Sequence, residues 1–385
     1  MKRIAIIGAG ASGLFLAKKW SGKNDMEVCV FEKNKQVGTK LRASGGGKCN
    51  LFNTFVDAKC YNHSAFAEKL LLRVTPARLQ HEFEEMGLQM VADEEGRVYP
   101  LSQFSQTVVD ILLDNLGENV HFEMEYEVKK VFKQDGFWHI NDYPIPFDEV
   151  VFASGSPANM IPKNRRNYNG YLTDFNISVK DFQPSLVGFV IKDYPKTLSG
   201  CRVKVIASLY QRETLIHSEP GEVTFKDDGI SGIVILNLSA YYNRLEDKGD
   251  CFVELNFLYA NPDYDVQEHL HKYHSLRGLL HPKLNELYER HPFDVKKYKM
   301  VIESTYDLAY AQVCHGGIDL DEVDDHFALK KYPGIYVTGE MLDMDGICGG
   351  YNLFFAFASA ASMSAWLCQS PFEVNPQSSP ILMPT

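Results

Sequence analysis

The sequence predicts an α/β fold in which a Rossmann-like domain, discontinuous along the chain, is interrupted by an inserted antiparallel β-sheet or barrel with a helical subdomain. Three observations carry this. A short apolar run at the N-terminus leads into a complete GxGxxG turn and a helical stretch. A strand-like Gly-rich segment and a long uncharged helix return near the C-terminus. Between them, from about Leu186, the apolar spacing shortens to strand-length alternation. A chain of 385 residues, at roughly 150 residues per domain, has room for two or three such units.

Composition narrows the function classes. Apolar residues at 45% and charged residues at 23% are ordinary for globular chains, which excludes wholesale disorder. A formal net charge of −11 gives no global field for a polyphosphate backbone, so nucleic acid is not expected as the main partner. The eight cysteines (Cys29, Cys49, Cys60, Cys201, Cys251, Cys314, Cys348 and Cys368) form no CxxC pair and no disulfide framework, which fits free thiols in a reducing cytosol. The start, MKRIAIIGAG, is interrupted by glycines and is expected to be a strand and not a targeting segment. The uncharged run Leu353–Cys368 falls short of the ~20 apolar residues that span a bilayer, so a buried helix and a cytoplasmic, non-membrane protein are expected.

The elements follow in order. Arg3–Ile7 is apolar and β-branched, as a strand buried on both faces is. Gly8, Ala9, Gly10, Ala11, Ser12 and Gly13 then form the turn. Gly8 permits the bend, Gly10 lets backbone approach a pyrophosphate, and Gly13 lets the helix pack on the strand. The helix N-terminus offers free N–H groups to phosphates. A second strand, Glu27–Phe31, ends at Glu32 and Lys33, about twenty residues on, where a carboxylate suits a ribose diol and disfavours a 2′-phosphate. NAD and FAD share this fingerprint.

A second glycine-rich segment spans Lys40 to Asn50. Gly45, Gly46 and Gly47, flanked by Lys40, Arg42, Ser44, Lys48, Cys49 and Asn50, make a backbone nest able to converge N–H groups on an anion or carbonyl. A third segment reads as a strand ending in Gly339-Glu340, then Asp343 to Asn352, then a helix that is apolar on most sides. A Gly349-Gly350-Tyr351-Asn352 turn at that helix start suits a group that becomes negative on reduction, such as the N1/C2=O edge of a flavin.

The three segments together resemble the BaiN-type, aminoacetone-oxidase-like bacterial FAD flavoproteins, which are distantly similar to two-dinucleotide-binding-domain flavoproteins. The match lies in IAIIGAGASGL (Ile4–Leu14), FEKNKQVGTKLRASGGGKCNLFN (Phe31–Asn53) and GEMLDMDGICGGYN (Gly339–Asn352), with weaker likeness at Arg97–Leu112, Phe152–Ser156 and Phe225–Ser239. The resemblance implies a Rossmann-like FAD-binding domain and non-covalent FAD. It places Gly8, Gly10 and Gly13 at the pyrophosphate and Glu32 at the adenosine ribose. Ser44 to Asn50 would lie along the ribityl and ring, with the backbone of Val128, in an EYEVKKVF strand, on the adenine. Ala153, Ser154 and Gly155 would close the dinucleotide site. Glu340 would sit near the ribityl or phosphates and Gly350–Asn352 toward the pyrimidine end, with Lys33, Gly339, Asp345, Gly346 and Gly349 also expected to bind the cofactor.

The middle of the chain is expected to be all strand up to about residue 262: LVGFVI, CRVKVIASLY, ETLIHS, EVTF, GIVILNL and CFVELNFLY alternate with turns. The expected layout is 1–185 for the first part of the FAD domain and 186–262 for the β insertion. A helical part at 263–310 is broken by Pro282, the FAD domain returns at 311–370, and a loose Pro/Ser-rich tail follows at 371–385. His269, His271 and His274 lack a carboxylate or cysteine at zinc spacing, so no metal is expected.

The chemistry expected is that of an FAD-dependent oxidoreductase acting on a small molecule. It would either reduce an activated C=C bond with NADH or NADPH as transient reductant, or oxidise an amine with oxygen; no second GxGxxG follows residue 60. An FAD-binding RNA-modifying protein of the tRNA-methylation type, or a flavin-binding protein without turnover, are the alternatives. The reactive ring is expected to face Phe225–Gly232 and Cys314–Gly317, with His315 as a proton donor, Cys348 as a redox-active neighbour, and Asp343 and Asp345 as proton-transfer groups or turn caps.

Overall fold

The computed structural model describes residues 1–160 and 168–367. The tail expected at 371–385 lies outside the described residues. Five parallel strands form the central sheet in the order Ile335–Val337, Glu149–Phe152, Lys2–Ile7, Met26–Glu32, Val120–Met124. The first and last of these in sequence are more than 300 residues apart, so the C-terminal return completes the sheet. Helices Ala11–Trp20 and Tyr351–Leu367 pack together, with Phe15, Phe83 and Phe357 in a triangle of ring centroids 5.0–5.4 Å apart. The C-terminal helix is buried on nearly every side, as its all-round apolar composition requires.

Six antiparallel strands between residues 189 and 305 close into a barrel with its own core. Three sequence expectations are corrected here. GIVILNL is not a strand. Ile233–Asn243 is a helix, capped by Gly232 at φ 107°. Its β-branched residues suggest a strand, but burial against both the barrel and the Rossmann part decides the matter, since tertiary packing outweighs weak local propensity. The segment expected to be helical, 263–310, does hold helices Val266–Tyr273 and Pro282–Arg290, yet it also supplies the barrel strand Tyr298–Thr305. Pro282 starts the second helix at a position where its missing N–H costs nothing. Val128 is not in a strand either; it lies in the connection after Val120–Met124.

The chain enters and leaves the barrel region through one antiparallel ladder, Val179–Ser185 against Val313–Ile318. No described helix is long and apolar enough to cross a membrane.

Candidate active site

One cavity of about 1650 Å³ runs from the glycine turn to the barrel. Ordinary ligand pockets are about 300–1,000 Å³, so it has room for a dinucleotide and a second molecule.

The turn is built for a ligand. Gly8 has φ 108°, and a Cβ there would sit 2.6 Å from the Ala153 carbonyl oxygen. A Cβ on Gly13 would sit 2.0 Å from the Gly8 oxygen, so both glycines are fixed by packing. Gly10 differs: it lines the cavity and has nothing within 4 Å of its Cβ position. The following helix has no side-chain cap and no acid in its first turn, which leaves its N–H groups for an anion. Glu32 is buried. Its Oε2 accepts from the Ala9 N–H (3.0 Å), and its Oε1 from the Asn34 N–H (2.8 Å) and side-chain amide (2.6 Å). The carboxylate thus shapes the turn and keeps a lone pair on Oε2 for a hydroxyl.

Along the cavity, Lys33, Val128 and Tyr168 line one end, and Ala153, Ser154 and Gly155 close a side. Lys33 lies over the Tyr168 ring at 4.7 Å, and burial pushes its ammonium pKa down. Lys40 donates to Glu340 (2.8 Å) and to Ser156, joining two predicted residues across the middle of the cavity. Ser44, Gly45, Gly46 and Asn50 also line it, with Gly45 and Gly46 both left-handed, a conformation glycine adopts without strain. Gly47, Lys48 and Cys49 do not line it. Lys48 faces solvent, and burial pushes the Cys49 thiol up to about 11.

At the C-terminal turn, Gly349 to Asn352 line the cavity. The Asn50 amide, oriented as its partners require, donates to the Phe52 carbonyl (3.0 Å) and accepts from Gly350 N–H (3.1 Å), tying the two glycine segments together. The Asn352 side chain folds back on Gly346, accepting its N–H (2.8 Å) and donating to its carbonyl (2.9 Å). Gly346 packs on Tyr61 and Tyr351, and Gly339 on Ser12; neither lines the cavity.

The residues expected to do chemistry divide. Cys348 lines the cavity, and burial pushes its thiol up to about 12, so it is a neutral group at neutral pH. His315 does not line it. Its Nδ1 faces Asp345 (3.2 Å) and Asp343 (3.5 Å) in a network behind the wall. Asp343 also meets Lys180 (2.6 Å) and His63 (3.3 Å), and Asp345 meets Arg244 (2.7 Å) and Ser185 (2.8 Å). Both carboxylates are at most 1% exposed. They hold the 343–352 loop, the connecting ladder and the barrel-side helix together. Phe225 and Ile230 belong to the barrel core, and of Val313–Gly317 only Val313 reaches the cavity.

Sequence reasoning missed the barrel-side wall: Glu219, Pro220, Ile233, Asn237 and Gln312. The signal was present as an Asn inside an apolar run, but reading that run as a strand hid which residues share its face.

A 3-dehydro-bile acid delta(4,6)-reductase from Clostridium scindens is 29% identical over 93% of this chain and 97% of that protein. A ribosomal RNA dihydrouridine synthase from Escherichia coli is 27% identical over 94% of this chain and 96% of its own. Among solved structures, Mycobacterium smegmatis Sdh1 in complex with UQ1 has a TM-score of 0.45 at 15% identity, covering 96% of this chain and 70% of that one. The sequence profile of the HI0933-like protein Rossmann domain matches residues 2–365, and the chain belongs to that family.

Proposed function

We propose that this chain is an FAD-dependent reductase of a carbon–carbon double bond conjugated to a carbonyl, acting on a small molecule. The observation that carries the reading is the single cavity. It joins the open face of Gly10, the Glu32 carboxylate, Ser44–Gly46 with Asn50, and the Gly349–Asn352 turn to a chamber walled by the barrel. The donor set fits a flavin dinucleotide: an uncapped helix start for the pyrophosphate, an acid for the ribose, and a second glycine-flanked helix start at the far end. A bound flavin supplies two electrons to the substrate as a hydride. The chain's own residues would do the rest. Lys40 and Glu340 would hold the middle of the cofactor. Gly349 to Asn352 would set the polarity at the ring edge. Pro220, Ile233 and Val313 would exclude water from the reacting face.

Reduction is favoured over amine oxidation because the Clostridium scindens relative is named as a delta(4,6)-reductase of a 3-dehydro-bile acid. A small substrate is favoured over RNA because the net charge is −11 and the carboxylates lining the cavity (Glu32, Glu95, Glu127, Glu219 and Glu340) outnumber its cations (Lys33, Lys40 and Arg97). NADH or NADPH would act as a transient reductant.

The test is anaerobic. The purified protein should be yellow and release FAD on heating. NADH or NADPH should bleach it, and cyclohex-2-enone should restore the colour with formation of cyclohexanone. Bleaching by small amines with no response to enones would overturn the reading in favour of amine oxidation. Reoxidation by uridine-containing RNA alone would move the substrate to nucleic acid.

A further inference from the structure

We infer that Glu219, coupled to His217, is the group that protonates the substrate carbon. The inference rests on the reductase reading above.

The geometry begins in two periodicities. The barrel strand Thr214–Phe225 points His217, Glu219 and Gly221 to one face. The helix Ile233–Asn243 presents Tyr241, Asn237 and Val234 on one stripe, spaced four and three residues apart. The two rows meet pair by pair. The His217 ring stacks on Tyr241 at 4.2 Å and 15°. Glu219 Oε1 accepts from Asn237 Nδ2 at 2.9 Å. Gly221 takes the closest approach, where a Cβ would stand 2.8 Å from Val234 Cβ.

Asn237 cannot turn over. Its Oδ1 accepts the backbone N–H of Cys348 at 2.8 Å, and a backbone N–H can only donate. The amide therefore always offers its NH2 to Glu219. Cys348 immediately precedes the Gly349–Asn352 turn, so Glu219 stands two hydrogen bonds from the end of the cavity where the reactive ring is placed. On its far side, Glu219 Oε2 faces His217 Nε2 at 3.4 Å, and the His217 side chain is 30% exposed. The array runs from solvent through an imidazole to a carboxyl on the cavity wall. Cys348 also lines the cavity, but its thiol points at the Gln312 amide oxygen (3.9 Å), a partner that cannot resupply a proton.

The step balances. A reduced flavin held between the Ser44–Gly46 segment and the Gly349–Asn352 turn, itself reduced by a nicotinamide dinucleotide, would supply a hydride to the β-carbon. The C=C π pair moves onto the α-carbon and carbonyl. The α-carbon then forms its C–H bond with the Glu219 proton, the carboxylate recovers a proton from His217, and the imidazole recovers one from water.

The experiment compares the FAD-loaded wild type with Glu219→Gln and His217→Gln after anaerobic reduction. Reoxidation by cyclohex-2-enone should slow about a hundredfold or more in Glu219→Gln, as loss of a general acid does. Reoxidation by ferricyanide, which needs no carbon protonation, should match wild type and show that the variant is folded and loaded. His217→Gln should slow the enone step less and leave the ferricyanide step alone. Independently of turnover, the His217 side-chain 15N–1H signal of the oxidised protein should shift in Glu219→Gln while the amides of the 233–243 helix stay in place. Enone reoxidation of Glu219→Gln at the wild-type rate, or a His217 signal unmoved by that substitution, overturns the inference. A wild type that no enone reoxidises overturns the reductase reading instead, and the His217 signal then still decides whether the pair exists.

Discussion

Asp345→Asn is the sharpest test of how the barrel is fastened to the cofactor site. The side chain is fully buried, and it receives Arg244 at 2.7 Å and Ser185 at 2.8 Å while facing His315 at 3.2 Å. Asparagine keeps the shape and removes the charge. Breaking one side of a buried ion pair costs about 3–5 kcal/mol. Arg244 is 22% exposed, so water reaches part of it and the lower end, about 3 kcal/mol, is expected. With an unfolding entropy near 2.1 cal/mol/K per residue over a chain of this size, that is a fall in Tm of about 4 °C for cooperative unfolding. Circular dichroism melts at pH 7 with saturating FAD measure it. Arg244→Met removes the other partner, so the double variant should lose less than the two single losses combined. A Tm within about 1 °C of wild type, or strict additivity with Arg244→Met, would refute the claim that this pair fastens the two parts.

Three further outcomes are expected. Gly10→Ala and Gly13→Ala should separate cleanly. The first, whose Cβ meets nothing within 4 Å, should fold normally and lose FAD, whereas the second, 2.0 Å from the Gly8 oxygen, should fail to fold; equal soluble yield and FAD content in both would contradict the assignment. Glu32→Ala should weaken FAD binding about tenfold to a hundredfold by titration, since a hydrogen bond to a charged group is worth roughly 1.5–3 kcal/mol, and should also lower Tm because Ala9 and Asn34 lose an acceptor. Burial acts to raise the Asp343 carboxyl, but hydrogen bonds from His63 and Lys180 and the nearby His315 outweigh it and hold the group well below the usual carboxylate range. A depressed carboxylate contributes stability that is present above its unfolded pKa of about 3.9 and lost as pH falls toward the native value, so Tm should drop below about pH 4 and the drop should flatten in Asp343→Asn.

Much of the Rossmann half was legible because its signals are local. GxGxxG, the strand ending in Glu32 and the Gly-Gly-Tyr-Asn turn each state their backbone requirement in adjacent residues. The barrel wall was not legible. Ile233–Asn243 carries Val, Ile and Leu in a run that suits a strand, and only its position between two cores makes it a helix. The roles of His315 and Asp345 failed for a related reason. Charged side chains near a predicted cofactor invite a catalytic reading, yet whether they face a cavity or each other depends on partners such as Lys180 and Arg244, which are distant in sequence.

The ladder Val179–Ser185 and Val313–Ile318 makes everything from residue 186 to 312 a detour between adjacent points. Ser185 and Val313 are direct partners across that ladder, about 5 Å apart as in any antiparallel pair. A two-residue Asn-Gly turn spans such a gap, so the detour can be exchanged for a hairpin, or for another folded module, without asking the parallel sheet to move. What the exchange removes is one wall of the chamber and the cation facing Asp345. A lineage altering this chain's substrate range thus has a ready splice point, provided each new module brings its own counter-ion for that aspartate.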